Sequence, residues 1–312
     1  MKYNKEVIIK LKKEWGKESL ILKNLNDNRF KYVESRDDCY CVLMKNPDIL
    51  EDVLFFGFIS FPNNLRVVED LFKKMELSAK SFSEKKLVGP INFSTWFSYR
   101  WMTKGFNKTK VYNEPSNQEY VPDFARKFGF KEYARYYSTL VKSNDIRYGY
   151  YKDKYKKILK KGYSFKRYSG LKIYFALRYI YEISIDSFFE NPFYSSISFK
   201  DFKSIYVSGF NNKVKIQPVV DLCFYKKEPV GFLFTFKNHY SDDILIWKTI
   251  GIKRKYQNNN IGSAFRFITH KTALEKKCSN VLYHLTYEKN IVRNFINDGK
   301  ILKEYALFFK NI

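Results

Sequence analysis

The sequence predicts an α/β protein made of two blocks that repeat one order of elements. Three observations carry this. The chain has 312 residues, about twice the ~150 of an average domain. It is 45% hydrophobic and 19% aromatic, ample for a buried core, which excludes disorder as the main state. Each half shows the same succession: apolar strand, turn, helix, strand, short helix, terminal strand or strand pair.

In the first half, residues 53–61 (VLFFGFISF) form an apolar run without a polar break, as in a strand covered on both faces. PNN turns the chain. In residues 65–82, Leu65, Val68, Leu71, Phe72 and Met75 then recur at helical spacing. Residues 86–93 (KLVGPINF) supply the next strand. A loop-rich stretch holding Trp96, Trp101, Gly105, Pro115 and Pro122 leads into a helix over 120–130, which Gly129 is placed to stop. Residues 131–142 (KEYARYYSTLVK) alternate as one or two strands.

Residues 143–162 are polar and strongly basic and read as a connection, partly helical, with its charges on a solvated face. A strand at 163–169 and a long amphipathic helix at 171–190 follow, and 216–225 and 229–236 read as a hairpin across KKE. A strand at 244–252 runs into the polar loop KRKYQNNN. The helix at 261–278 places Ile261, Phe265, Ile268 and Leu274 at helical spacing. A strand at 280–287, a short helix at 290–298 closed by Gly299 and a strand at 301–310 complete the order.

Lys and Arg number 57 against 32 Asp and Glu, a net charge of +25. Such a field attracts nucleic acid, acidic membranes and phosphorylated cofactors. Lys, Asn, Ile, Phe and Tyr are all plentiful and share A/T-rich codons, so a biased genome accounts for a lysine-heavy surface without any polyanion partner. Of the four cysteines, Cys39, Cys41, Cys223 and Cys278, only the first two are close, and C-x-C alone lacks the second pair of a zinc site. No metal is expected. The N-terminus lacks the apolar stretch of a signal peptide, and no uncharged run reaches the ~18 residues of a membrane span. A cytoplasmic protein with reduced thiols is the expectation.

The most informative segment is WKTIGIKRKYQNNNIGSAF, residues 247–265. A buried strand enters a polar loop and a helix opens at Ile261. First-turn amides have no intrahelical partner, and the helix dipole adds positive character, so this arrangement binds phosphate. Gly262 lets the backbone approach a pyrophosphate closely. Lys253, Arg254 and Lys255 set three cations beside it. The bland alternative is an ordinary strand–loop–helix connection with a surface basic cluster.

Here the chain resembles the GNAT superfamily of N-acyltransferases, whose pyrophosphate loop reads Gln/Arg-x-x-Gly-x-Gly/Ala. This sequence has Gln257-Asn258-Asn259-Asn260-Ile261-Gly262, with Asn260 where Gly is usual; Asn tolerates left-handed backbone better than most residues. Asn290 stands where the family has its Asn at the start of the next helix. The family often has a Tyr just before the Gly that ends this helix, and here Asn297 holds that place. In the first half, GPINFS resembles a GPxNxS segment of two-lobed bacterial members, and the strand–turn–helix there has no glycine and no Gln/Arg in its loop.

The resemblance implies two GNAT-like lobes, each a mixed, mainly antiparallel central sheet flanked by helices: residues 1–142 a degenerate lobe, 143–162 a basic linker, and 163–312 the lobe with the acyl-thioester loop. It implies an N-acyltransferase that moves an acyl group from acetyl-CoA or a longer acyl-CoA, or from acyl-carrier protein, to an amine. Amides near Ile250 and Ile252 would hold the thioester and pantetheine arm, and those of Asn258, Asn259, Asn260, Ile261, Gly262 and Ser263 the pyrophosphate. Asp242, Asp243 and His284 are the candidates for the base, with water as a further option, and Tyr305 is the candidate for the acid that meets the thiolate. His239 and His270 read as surface residues and Cys278 as structural. The alternatives are a Fem-type tRNA-dependent aminoacyltransferase, which the charge suits, and a binding protein that has kept the fold.

Overall fold

The computed structural model describes residues 2–16, 18, 29–36, 38–145, 147–210, 217–296 and 299–312. Ahead of the first predicted strand lie a helix, α1 (Lys2–Trp15), and two strands, β1 (Phe30–Glu34) and β2 (Tyr40–Met44). The predicted strand–helix–strand follows as β3 (Val53–Ser60), α2 (Leu65–Ala79) and β4 (Lys86–Gly89). A short β5 (Trp101–Lys104) and α3 (Tyr120–Lys127) lead to β6 (Lys131–Lys142), one strand and not two. The basic connection contains α4 (Tyr148–Lys160). Beyond it come β7 (Tyr163–Ser169), α5 (Ile173–Ser187), an α6 (Phe199–Phe210) that the periodicity does not predict, β8 (Val219–Tyr225) and β9 (Glu228–Lys237). The chain continues through β10 (Ile244–Ile252), α7 (Ile261–Glu275), β11 (Asn280–Tyr287) and β12 (Lys300–Asn311). The short helix expected at 290–298 is a 3-10 turn over Ile291–Phe295, and Asn297 and Asp298 lie outside the described residues.

The twelve strands among the described residues form one sheet, in the order β1-β2-β3-β4-β12-β6-β11-β10-β9-β8-β7 with β5 beside β12. Two neighbouring pairs are parallel, β3 with β4 and β10 with β11, and the rest are antiparallel. The fold is therefore α/β with a mixed, mainly antiparallel sheet. The last strand of the chain, β12, is inserted between β4 and β6, and β6 in turn pairs with β11.

Helices cover both faces, so inner strands are apolar on both sides. In β2, Tyr40, Val42 and Met44 enter one core cluster while Cys41 and Leu43 enter the other, where α2 places Val68, Leu71, Phe72 and Met75. In β10, Leu245 and Trp247 meet Phe265 and Ile268 of α7, whereas Ile244 and Ile246 meet Leu177 and Ile180 of α5. The β8–β9 hairpin turns through Lys226 and Lys227, both with positive φ (47° and 73°), as a tight two-residue turn requires. Helix α7 carries a fully buried Arg266, which is paired with Asp145 at the start of the basic connection and lies over the Tyr151 ring.

The two parallel pairs are the repeated unit that the sequence predicts, and they end differently. β3 and β4 pair only from Val53 to Phe55, then part. That opening is filled by the GPIN segment: the Ile91 amide donates to the Phe56 carbonyl (2.9 Å), and the Phe58 amide donates to the Asn92 side-chain oxygen (2.7 Å). A Cβ at Gly57 would lie 2.2 Å from the Ile91 carbonyl oxygen, and one at Gly89 2.2 Å from that of Phe56, so both crossings need glycine. The first block thus closes its own gap with chain.

Candidate functional site

The second gap is not closed in this way. β10 and β11 pair only from Ile244↔Asn280 to Trp247↔Tyr283, and β10 carries a bulge between Trp247 and Thr249. Past that point β10 keeps only β9. The Lys253 amide donates to the Val230 carbonyl (2.9 Å), and Gly251 stands opposite Phe232. By antiparallel alternation the backbones of Gly251 and Lys253 face β9, and those of Ile250 and Ile252 turn away from it, toward the opening. Gly251 admits no Cβ, which would lie 2.5 Å from the Phe232 ring.

The loop that follows presents main-chain donors. Asn258 and Asn260 are both left-handed (φ 64° and 63°), the conformation expected of Asn at the departed glycine. The first bond into α7 runs from the Ala264 amide to the Asn260 carbonyl (3.0 Å). The amides of Asn258, Asn259, Asn260, Ile261, Gly262 and Ser263 therefore have no backbone acceptor among the described residues. Such a row at a helix start is an anion nest. Side chains brace it: Gln257 Nε2 donates to the Ile252 carbonyl (3.2 Å) and Asn259 Nδ2 to the Tyr256 carbonyl (3.3 Å). The three neighbouring cations are less available than their spacing implies. Lys253 is paired with Glu228 (2.9 Å), Arg254 approaches Asp186 (3.7 Å), and Lys255 lies 5.8 Å from the Tyr256 ring centre.

On the far side of the opening is a buried polar cluster. His284 is buried, its Nδ1 2.9 Å from Ser138 Oγ and its Nε2 without a partner among the described residues. Burial, reinforced by the charges of Lys248, Arg100 and Lys303, holds its pKa well below the usual imidazole value, so the ring is neutral. The Tyr305 hydroxyl donates to Glu114 (3.0 Å), and Lys303 Nζ meets both oxygens of that carboxylate (2.7 and 2.8 Å). Burial, with Glu114 adding to it, raises the Tyr305 pKa. Lys248 Nζ donates to the Asn113 carbonyl (3.2 Å), and its pKa is pushed down to about 7, first by burial and then by the charge of Arg100.

A cavity of about 1820 Å³ reaches the opening; its walls include Trp247, Lys248, Thr249 and Ile250 of β10, and His284, Leu285, Thr286 and Tyr287 of β11, but none of the loop from Gln257 to Ser263. That is larger than the ~300–1,000 Å³ of ordinary small-molecule sites. Among the described residues no group of three or more His, Cys, Asp and Glu side chains is placed to hold a metal ion, and no described helix is long and apolar enough to cross a membrane.

No protein-family model matches the chain, and no curated protein does. Solved structures do. A tandem GNAT protein from the clavulanic acid biosynthesis pathway superposes with a TM-score of 0.51 at 9% identity, over 94% of this chain and 86% of its own. A GCN5-related N-acetyltransferase from Anabaena variabilis gives 0.51 at 9%, over 98% and 70%. The chain has a two-lobed GNAT-like fold. A probable N-acyltransferase from Enterococcus faecalis agrees, at 0.51 and 8%, over 88% of this chain and 58% of its own.

Within this GNAT-like fold the predicted site residues divide. Ile250 lines the cavity, whereas Ile252 and the loop from Gln257 to Ser263 continue the chain beyond it, between β10 and α7, and are absent from its wall. His284 and Tyr305 sit together, ring centres 6.2 Å apart, but Tyr305 is fully buried, is absent from the cavity wall and spends its hydroxyl on Glu114. Asn290 lines the cavity and caps the 3-10 turn, accepting from the Val292 amide (2.9 Å). Asp243 is not brought to the opening. It precedes β10, at the end opposite the loop, and holds the Ser279 amide (2.8 Å) and Asn280 Nδ2 (2.7 Å). Asp242 is exposed and paired with Lys237. His270 is no surface residue: it is buried, Nδ1 3.0 Å from the Ser143 carbonyl and Nε2 3.0 Å from the Tyr283 hydroxyl. Sequence reasoning missed Arg100, Glu114, Ser138, Lys248 and Lys303. The one local signal was Lys303, which shares the inward face of β12 with Tyr305 at a spacing of two.

Proposed function

We propose that the chain is an N-acyltransferase whose donor is an acyl thioester on a phosphopantetheine arm, with acyl-CoA the first donor to test. One observation carries this: β10 and β11 part after Trp247↔Tyr283, and the freed backbone of Ile250 and Ile252 continues into six unpaired amides at a helix start. Amides of Ile250 and Ile252 hold the thioester carbonyl and the pantetheine arm, and the nest holds the pyrophosphate. An amine entering from the cavity attacks the carbonyl. The C–N bond forms, the C–S bond breaks, and the proton leaving nitrogen ends on sulfur. His284 Nε2, neutral and facing no protein partner, is the relay for that proton. Lys248, Arg100 and Lys303 disfavour its retention there. Tyr305 and Ser138 position His284 and do not themselves meet the substrate.

Calorimetric titration of acetyl-CoA and of CoA into the protein tests this. Binding to wild type and its loss in Gly262→Glu, whose carboxylate would repel the pyrophosphate, is expected. Absence of binding by both acetyl-CoA and CoA sinks acyl-CoA as the donor. The net charge of +25 favours a second reading, a donor carried on tRNA. Filter binding of tRNA over a salt series tests it, and a flat response removes it.

A further inference from the structure

Arg100 is a buried cation with two donors that no described residue engages. The residue is 9% exposed, and its Nε and Nη1 have no hydrogen-bond partner among the described residues. Its Cζ lies 3.8 Å from the ring centre of Tyr99 and 4.1 Å from that of Tyr136, and those rings stand at 83° to each other. The guanidinium is thus set in an aromatic corner. Its backbone is held as well, left-handed (φ 67°) with the amide donating to the Pro90 carbonyl (2.9 Å). Glu114, the carboxylate of the neighbouring cluster, is already engaged by Lys303 and Tyr305.

A buried guanidinium with idle donors is costly in a folded chain unless an anion completes it. Arg100 lines the large cavity, as do Lys248 and His284, so the place left for that anion is the cavity itself. Lys248, on the same cavity wall, adds a second nitrogen there, its Nζ donating to the Asn113 carbonyl (3.2 Å). This wall is also the one that faces the opening between β10 and β11.

We propose that Arg100 anchors an anionic oxygen group, a carboxylate or a phosphate, on the molecule that fills the cavity, so that the acceptor is an amine that also bears an acid. Its position as acceptor rests on the acyltransferase reading; the anion site itself does not. Guanidinium geometry suits both groups, because each offers several oxygens to its donors.

Thermal melting of the full chain, without any acyl donor, tests the site. Sodium benzoate, its neutral analogue benzamide, sodium phosphate and sodium chloride are titrated at matched ionic strength. Benzoate or phosphate should raise Tm with concentration beyond chloride, while benzamide does not, and Arg100→Met should lose the response. A benzoate response alone names a carboxylate, and a phosphate response alone a phosphorylated acceptor. Neither anion exceeding chloride, or a response that survives in Arg100→Met, overturns the proposal. If Arg100→Met does not fold, Arg100→Lys keeps the charge but loses the fork, and the apparent anion affinity should fall at least tenfold; unchanged affinity overturns it too. Because no thioester is present, this outcome is independent of whether CoA binds.

Discussion

Ser138 Oγ lies 2.9 Å from His284 Nδ1 across the junction of β6 and β11, and the same oxygen faces the Leu285 amide (3.4 Å). The register explains why. Tyr283 pairs with Thr139 and Thr286 with Tyr137, so His284 and Leu285 together stand opposite Ser138 alone. This is a bulge, and it puts Leu285 in left-handed backbone (φ 56°), a conformation that costs a branched residue ~1–2 kcal/mol. His284 lines the cavity, and Ser138 meets its ring at Nδ1.

Ser138→Ala should therefore destabilise the protein by ~1–3 kcal/mol, the cost of leaving buried partners unmet. Urea denaturation measures it. Any acyl-transfer rate should fall with it, because His284 is no longer oriented. An unchanged midpoint and rate would show that the contact does neither.

Asn260 takes φ 63° and makes no side-chain cap. Replacing it by Gly, the residue usual at this place, should leave stability within about 0.5 kcal/mol and leave CoA affinity unchanged, whereas Asn260→Val should cost at least ~1 kcal/mol. Thermal melts of the two variants side by side decide this. Equal melting temperatures would mean that the left-handed turn is not formed.

Glu114 neutralises Lys303 and takes the Tyr305 hydroxyl, with the Lys303 and Glu114 side chains only 3% and 7% exposed. Removing it in Glu114→Ala strands a buried ammonium and should cost about 3–5 kcal/mol, while Glu114→Ala combined with Lys303→Met should recover much of that loss. Denaturation midpoints of the single and double variants are the check. No recovery in the double variant would mean that the carboxylate matters for some other contact.

Stability should fall as pH drops below about 6.5. Burial lowers the His270 pKa from 6.5 to about 4, and lowers that of His284 too. Above pH 6.5 both folded and unfolded chains keep these rings neutral. Between there and about 4, the unfolded chain takes up protons that the folded one refuses, which favours unfolding. NMR titration should show the His270 ring half-protonated near 4, and Tm should decline across that window. A His270 midpoint near 6.5 would contradict its burial.

Much of the architecture was legible in one dimension. Hydrophobic spacing located α2, α5 and α7, and unbroken apolar runs located β3 and β10, because helix and strand periodicity are local consequences of burying one or both faces. The loop from Gln257 to Gly262 was legible for the same reason: its turn chemistry is set by the residues in it. Weakly periodic elements such as β5 and α6 were not, since their structure depends on what they pack against.

The sequence by itself determined the strand–helix–strand units, their repetition, and the loop that opens a helix after β10. Tertiary structure alone decided that β12 enters between β4 and β6, that Asn92 shuts the first opening while the second stays open, and that Arg100, Glu114, Lys248 and His284 line one cavity, with Ser138 and Lys303 bonded behind them. The reason is separation along the chain. Residues nearly two hundred positions apart, such as Glu114 and Lys303, meet only when the whole chain is folded, and no local spacing encodes which distant polar group a buried side chain will find.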